Sequence, residues 1–250
     1  MKIAVISDVH GNLPALEAVL RDIEQQGVDL TVCLGDLAFK GPAPGECVRR
    51  IRTLGIPCVH GNTDLALLHA AGHPGARPLP EGYTVDLDQM PFLNWHLSRM
   101  ADAELDYLAG LPFDYRVAGI QFVHASPRDC NAAIRPGQPA DVLADRLHGT
   151  TAQCVVMGHI HEPFVQRLGE RLLINAGAVG FSLDRDWRPA YVLLGTEGGA
   201  VIHRRVEYAI DEAVALARSQ GFCFPPDWYG ETLRQGWWEP IPWSQWVLPN

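Results

Sequence analysis

The sequence predicts an α/β fold. Two observations carry this. Over the first 60 residues, short apolar runs alternate with stretches of helical periodicity. After residue 112 the chain turns strand-rich, with short connections between the apolar runs. Sheets fed by helical crossovers are parallel, and sheets joined by tight turns are antiparallel.

Residues 2–6 (KIAVI) read as the first strand. Leu13, Leu16, Leu20 and Ile23 then recur at spacings of three and four, one face of a helix. Asn12 is placed to cap it, Pro14 suits its first turn, and Gly27 stops it. Residues 30–34 read as a second strand, 45–54 as a helix with Val48 and Ile51 inward, and 56–59 as a third strand. This β-α-β-α-β order predicts a largely parallel sheet. Residues 64–112 read as a helical insertion, broken by GHPGARPLPEG at 72–82, with Asp102 placed to cap a helix carrying Leu105 and Leu108. Further strands are expected at 116–123, 153–157, 171–174, 190–194 and 200–206, with a hairpin at Glu197-Gly198-Gly199. A helix is expected over 211–219.

The domain reading is one unit over 1–221, containing the insertion, and an extension over 222–250. That extension holds five of the seven tryptophans and five prolines. It is expected to pack on the core, because so many indoles are too apolar to stay solvated.

Composition narrows the function. The 250 residues are 47% hydrophobic and 20% charged, which excludes a disordered chain. A net charge of −9 disfavours a face that tracks extended nucleic acid. A small anionic substrate is compatible if metal ions supply positive charge. No apolar run approaches the ~18 residues of a membrane helix. Six cysteines without a C-x-x-C pair, and a start that does not read as a signal peptide, lead us to expect a reducing cytoplasm.

Polar clusters close the strands: Asp8-Val9-His10, Gly35-Asp36, Gly61-Asn62-Thr63-Asp64, His124, and Gly158-His159-Ile160-His161. In open α/β sheets ligands gather beyond the carboxyl ends of strands. Asp8 and His10 at i and i+2 point the same way in extended backbone and can grip one ion; His159 and His161 repeat the spacing. Asp36 stands alone, and its two oxygens suit a bridge between two ions. Asn62 adds a carbonyl oxygen. Such a nitrogen and oxygen set, without thiolate, favours manganese, iron, zinc, cobalt or nickel.

These blocks resemble the calcineurin-like metallophosphoesterase superfamily: Asp8-x-His10, GDLAFKG at 35–41, GNTD at 61–64, His124 within VHASPRD, and GHIH at 158–161. SDVHGNLPALEAVL, LGDLAFKGPAPGECV and LINAGAVG resemble its small bacterial phosphodiesterase branch, over about residues 2–207. The resemblance implies a four-layer αββα sandwich of two mixed sheets with outer helices. It implies two divalent ions, manganese favoured: one on Asp8, His10, Asp36 and His161, the other on Asp36, Asn62, His124 and His159. The ions would clamp the phosphoryl group and lower the pKa of a bridging water, whose hydroxide attacks phosphorus. Asp36, Asn62 and His124 are thereby implied in catalysis. Asn12, Thr63, Asp64 and Asn175 are expected beside the substrate or behind the ligands, and Asn12 is expected to cap as well.

Two departures matter. Many members carry histidine where this chain has Thr63, and phosphoprotein phosphatases carry Asp-Arg where it has Phe39 and Lys40. Both argue against a protein phosphatase. His60, His69, His73, His96, His148 and His203 are expected to pack or face solvent, and Lys40 and Arg128 to be surface cations. The expected activity is hydrolysis of small organic phosphodiesters. The alternatives are a dinucleoside polyphosphate hydrolase and, from another class, a non-catalytic metal-binding scaffold. A nuclease is disfavoured by charge. Oligomeric state is left open.

Overall fold

In the computed structural model, residues 1–80, 83–85, 92–196 and 200–238 are described. The chain runs β1 (Lys2–Ile6), α1 (Leu13–Gln25), β2 (Leu30–Cys33), α2 (Pro44–Thr53), α3 (Asn62–Ala70), α4 (Phe92–Leu97) and α5 (Asp102–Ala109). It continues through β3 (Asp114–Val117), β4 (Ile120–Val123), α6 (Ala140–Arg146), β5 (Cys154–Met157), β6 (Phe164–Leu168) and β7 (Arg171–Asn175). It then forms β8 (Ala190–Gly195), β9 (Val201–Arg205), α7 (Ile210–Ser219) and α8 (Pro226–Gln235).

Two mixed sheets result, in the orders β2-β1-β8-β9 and β3-β4-β5-β7-β6. β1 and β2 are parallel, as are β4, β5 and β7; the other neighbours are antiparallel. Strand periodicity explains the layering. On β1, Ile3 and Val5 face Ile120, Phe122, Val156 and Ile174 of the other sheet. Ala4 and Ile6 face the opposite way, into a core with Leu16 and Val19 of α1 and Val48 and Ile51 of α2. On β5, Val155 and Met157 meet Leu143 and Leu147 from α6 and the residue that follows it. Helix, sheet, sheet and helix thus stack as the expected αββα sandwich.

Several local expectations need correction. The third strand at 56–59 is reduced to one parallel bridge between Cys33 and Cys58. Pro57 has no N–H to extend a ladder. The strand expected over 116–123 is two, joined by Ala118 and Gly119 with φ of 51° and 75°. Positive φ at both central residues is the two-residue hairpin turn that matches strand twist. β6 was not foreseen; its half-exposed alternation is that of a sheet edge. Asp102 lies inside α5, and the cap residue is Ala101, whose N–H donates to Glu104 Oε2 at 2.6 Å. Residues 197–199 lie outside the described residues, although β8 and β9 do pair antiparallel.

The start of the 222–250 extension contains α8, which packs on α7. Phe222, Phe224, Tyr229 and Leu233 are buried. Trp238 meets Trp228 at 4.7 Å and Phe181 at 5.2 Å between ring centroids. Trp243 and Trp246 lie outside the described residues. Among the described residues no helix is long and apolar enough to cross a membrane.

Candidate metal centre

The clusters that follow β1, β2, β4 and β5 meet at one end of the two sheets. Backbone bonds knit the loops together: Asp8 N–H donates to Gly35 O at 3.1 Å and His10 N–H to Asp36 O at 2.9 Å. Asp8, His10, Asp36, His159 and His161 all have φ between 48° and 70°. Left-handed backbone is uncommon for these residue types and persists where surroundings enforce it. Asp8 and His10 therefore converge through a left-handed turn, not through the extended geometry expected from their spacing. Gly61 and Gly158 make room: a Cβ on either would overlap the carboxylate of Asp36 or Asp8.

Seven side chains come together. His161 Nε2 lies 3.1 Å from Asp8 Oδ1 and 3.1 Å from His10 Nε2. Asp36 Oδ2 lies 3.7 Å from His10 Nε2 and 3.5 Å from His124 Nε2, between the two halves of the cluster. Asn62 Oδ1 lies 3.0 Å from His124 Nε2 and 3.1 Å from His159 Nδ1. Asp8, His10 and His161 form one group that could hold a cation; Asp8, Asp36 and His124 form another.

Backbone carbonyls settle the tautomers. His10 Nδ1–H donates to Phe39 O at 2.8 Å, His124 Nδ1–H to Leu34 O at 2.7 Å, and His161 Nδ1–H to Phe181 O. A carbonyl only accepts, so in each neutral ring Nε2 carries a lone pair. Neutral rings would thus turn their lone pairs onto carboxylate and amide oxygens, acceptors opposed to acceptors. Burial disfavours a charge on His124, but Asp36 and Asp8 outweigh it and raise its pKa, which is the demand for positive charge that a cation would meet. Asp8 Oδ1 is buried with no hydrogen-bond donor. Its Oδ2 accepts from Ser7 Oγ–H at 2.6 Å and His159 N–H at 2.8 Å. A divalent ion is the partner this geometry fits, and histidines tied at the far nitrogen are oriented as metal ligands are. Burial opposes ionisation of Asp8, yet positive charge on the neighbouring histidines, His161 first, outweighs it and holds its pKa well below the usual range; a bound cation would favour the carboxylate in the same way. Burial, then Lys40 and His161, keeps His10 neutral.

The surrounding residues divide by task. Asp64 accepts from Asp36 N–H (2.8 Å), Leu37 N–H (2.9 Å) and Gly61 N–H (2.9 Å), locking two ligand loops together. Asn175 donates to Gly158 O at 2.6 Å and accepts from Gly177 N–H, which fixes the GHIH loop. Asn12 caps α1 through Ala15 N–H and donates to Gly180 O at 3.0 Å. With its amide so engaged and fully buried, it braces the loops. Thr63 N–H donates to Asp36 Oδ1 at 2.9 Å, while its buried hydroxyl has no partner. His60 is buried, and burial pulls its pKa down to about 4. Lys40 is no free surface cation: it is half-buried, faces Asp36 and Asp8, and lies 5.8 Å from the Phe181 ring. The sequence reading missed Tyr83, whose hydroxyl lies against Asn62 and faces Asp36. It follows directly on the Gly/Pro-rich break at 72–82, where no spacing marks it. Ser7, next to Asp8 within SDVH, was legible and passed over.

A model of the calcineurin-like phosphoesterase superfamily domain matches residues 1–199. The chain belongs to the calcineurin-like phosphoesterase superfamily. The crystal structure of a metallophosphoesterase from Sphaerobacter thermophilus is similar, with 31% identity and a TM-score of 0.76 over 94% of this chain and 100% of that one. Shorter stretches resemble phosphodiesterase YfcE of Escherichia coli, 36% identical over 26% of this chain and 40% of that protein. Others resemble a symmetrical bis(5'-nucleosyl)-tetraphosphatase of Cronobacter sakazakii, 35% identical over 38% of this chain and 36% of that protein. Members of this superfamily are hydrolases that use divalent metals, and the cluster supplies candidate ligands for them.

Proposed function

We propose that this phosphoesterase hydrolyses small organic phosphodiesters with two divalent ions. Asp8, His10, Asp36 and His161 would hold one, and Asp36, Asn62, His124 and His159 the other. The observation that carries the reading is the convergence of histidine lone pairs on Asp8 Oδ1 and Asp36 Oδ2, held by backbone carbonyls. When bound, such ions lower the pKa of water and neutralise charge growing on phosphoryl oxygens. Manganese suits the mixed nitrogen and oxygen set.

The chain's own residues do the rest. Asp64 and Asn175 keep the ligand loops in register. Asp8 and Asp36 pair with histidines, and among the described residues no carboxylate comes within ion-pair distance of Lys40. A desolvated ammonium without an ion pair is poised for an anion. Lys40 would thereby take a phosphoryl oxygen. Tyr83 would donate a hydrogen bond to the departing oxygen. A net charge of −9 suits a small substrate better than extended nucleic acid. Six free cysteines, five of them buried, suit a reducing cytoplasm.

The resemblance to YfcE supports phosphodiesters; the resemblance to the tetraphosphatase keeps a dinucleoside polyphosphate as the second reading. The test is a panel of phosphomonoesters, linear and cyclic diesters and dinucleoside polyphosphates, each with manganese, iron, zinc or nickel. Diesters should turn over fastest, and with manganese. Metal binding without any turnover would instead identify a scaffold. Fastest turnover of the dinucleoside polyphosphate would establish the second reading.

A further inference from the structure

One peptide unit connects the metal cluster to the helical insertion. The Phe39 carbonyl accepts from His10 Nδ1–H at 2.8 Å. The N–H of the same peptide, that of Lys40, donates to His96 Nε2 at 3.1 Å. Lys40 has φ of 84°, a conformation strained for any residue but glycine. Something outside the loop must therefore hold it there.

His96 is built for that task. It lies on α4, far from the metal motifs in sequence, and its side chain is fully buried. Its Nδ1–H donates to Phe92 O at 2.8 Å, so Nε2 is the acceptor. The ring is wedged among Phe39 at 5.0 Å, Trp95 at 5.1 Å and Phe222 at 6.0 Å between centroids. α4 is itself tied down, because Trp95 Nε1–H donates to Gly221 O at 2.7 Å. Burial pulls the His96 pKa down to about 4, which keeps Nε2 free to accept at neutral pH. A buried backbone N–H needs such an acceptor.

We propose that His96 is a positioning residue: by accepting the Lys40 N–H it fixes the Phe39–Lys40 peptide, and through it both the His10 ring and the Lys40 ammonium. Without the acceptor, the peptide can rotate. Rotation relaxes the Lys40 backbone, withdraws the ammonium from Asp36 and Asp8, and takes the Phe39 carbonyl from His10. The insertion is thus part of the phosphoryl site although it supplies His96 through a peptide and not to the substrate. The inference rests on the reading above that His10 holds metal and Lys40 takes phosphate.

The test uses two disruptive variants. His96→Phe keeps a ring of similar shape without an acceptor. His96→Asn keeps the bond to Phe92 O but is too short to reach Lys40. His96→Gln places its carbonyl oxygen near the Nε2 position and serves as the rescue. Three quantities are read: manganese affinity of the metal-free protein by calorimetry, exchange of the Lys40 amide hydrogen by NMR, and inhibition of the manganese-loaded enzyme by inorganic phosphate. Each disruptive variant should weaken manganese binding about tenfold, as loss of an outer support does. Each should speed Lys40 amide exchange and weaken phosphate inhibition by a similar factor. His96→Gln should recover most of all three. Because His96 acts on phosphate through Lys40, its effect on phosphate should vanish in a Lys40→Met background. Loss that persists undiminished there overturns the positioning role, as does unchanged manganese affinity and amide exchange. If Lys40→Met alone leaves phosphate inhibition intact, Lys40 does not bind phosphate, and the earlier reading fails first.

Discussion

His10 Nε2 and His161 Nε2 face each other at 3.1 Å, and each ring gives its Nδ1–H to a backbone carbonyl. Neither nitrogen can donate to the other while both rings are neutral. With both neutral, the metal-free site holds opposed lone pairs beside an unpartnered carboxylate oxygen, Asp8 Oδ1. Chelation should abolish turnover and lower the melting temperature. At a hundredfold excess over Kd, a ligand that binds only the folded state adds about 2.7 kcal/mol. For a chain of this size that is about 5–10 °C, read by calorimetry with and without manganese. Equal melting curves would show that the cluster holds no ion.

Asp36 is the group between the two halves. Its Oδ2 approaches His10 and His124 Nε2, and its Oδ1 accepts Thr63 N–H. Asp36→Asn keeps the size but loses the negative charge two cations need. Metal content should fall below two ions per chain and turnover by roughly 10²–10³-fold. Two retained ions with full activity would remove Asp36 from the bridging role.

Phe222, Phe224, Tyr229 and Leu233 fill the core beside α1 and α4. Each fully buried aromatic contributes about 2–3 kcal/mol. Deletion after Gly221 should lower the melting temperature far more than it alters substrate preference. Phe224→Ala, costing about 3–5 kcal/mol, is the milder version. A truncation as stable as the full chain would mean that the extension is not structural cover.

The layering and the convergence of the candidate ligands were legible because both follow from short-range rules. Apolar alternation places Ile3 and Val5 opposite Ala4 and Ile6, and the motifs sit where strands end. The order of the elements around Pro57 was less legible, since one missing N–H turns a strand into a bridge. The hairpin at Ala118-Gly119 was hidden because Ala118 is not a usual left-handed residue. Tyr83 was missed and His96 was expected only to pack or face solvent for a different reason: their place comes from how the insertion folds back, which no local spacing encodes. Lys40, inside GDLAFKG, was expected at the surface because its burial depends on Phe181, far away in the chain.

Burial holds His96 near pKa 4, against about 6.5 in an unfolded chain. A histidine depressed in the fold favours folding while neutral. Its contribution is complete above pH 6.5 and is lost as pH falls from 6.5 towards 4, where the unfolded chain takes up a proton that the folded one refuses. The shift corresponds to about 3 kcal/mol across that window. Urea unfolding of the metal-free protein should therefore show a steep acid limb, shallower in His96→Phe. His60, also held near 4 by burial, adds to the limb in the same direction. An acid limb of equal steepness in wild type and variant would show that His96 does not titrate this way.

Departure of the leaving group is the step for which Thr63 is least suited. A general acid contributes about 10²–10⁴-fold by protonating the departing oxygen, and a threonine hydroxyl has no such proton to give near pH 7. In this chain the Thr63 hydroxyl is buried and unpartnered, and the site uses its N–H instead, on Asp36 Oδ1. The Tyr83 hydroxyl lies on the Asn62 side of the cluster and can donate a hydrogen bond without losing its proton. The rate should therefore depend on the leaving group, with activated aryl diesters cleaved much faster than alkyl ones. Tyr83→Phe should steepen that dependence by removing the donor. Thr63→His should flatten it, raising rates most for poor leaving groups. The measurement is the slope of log kcat/KM against leaving-group pKa in a series of aryl and alkyl diesters. A shallow slope in wild type, unchanged in both variants, would show that neither position governs departure.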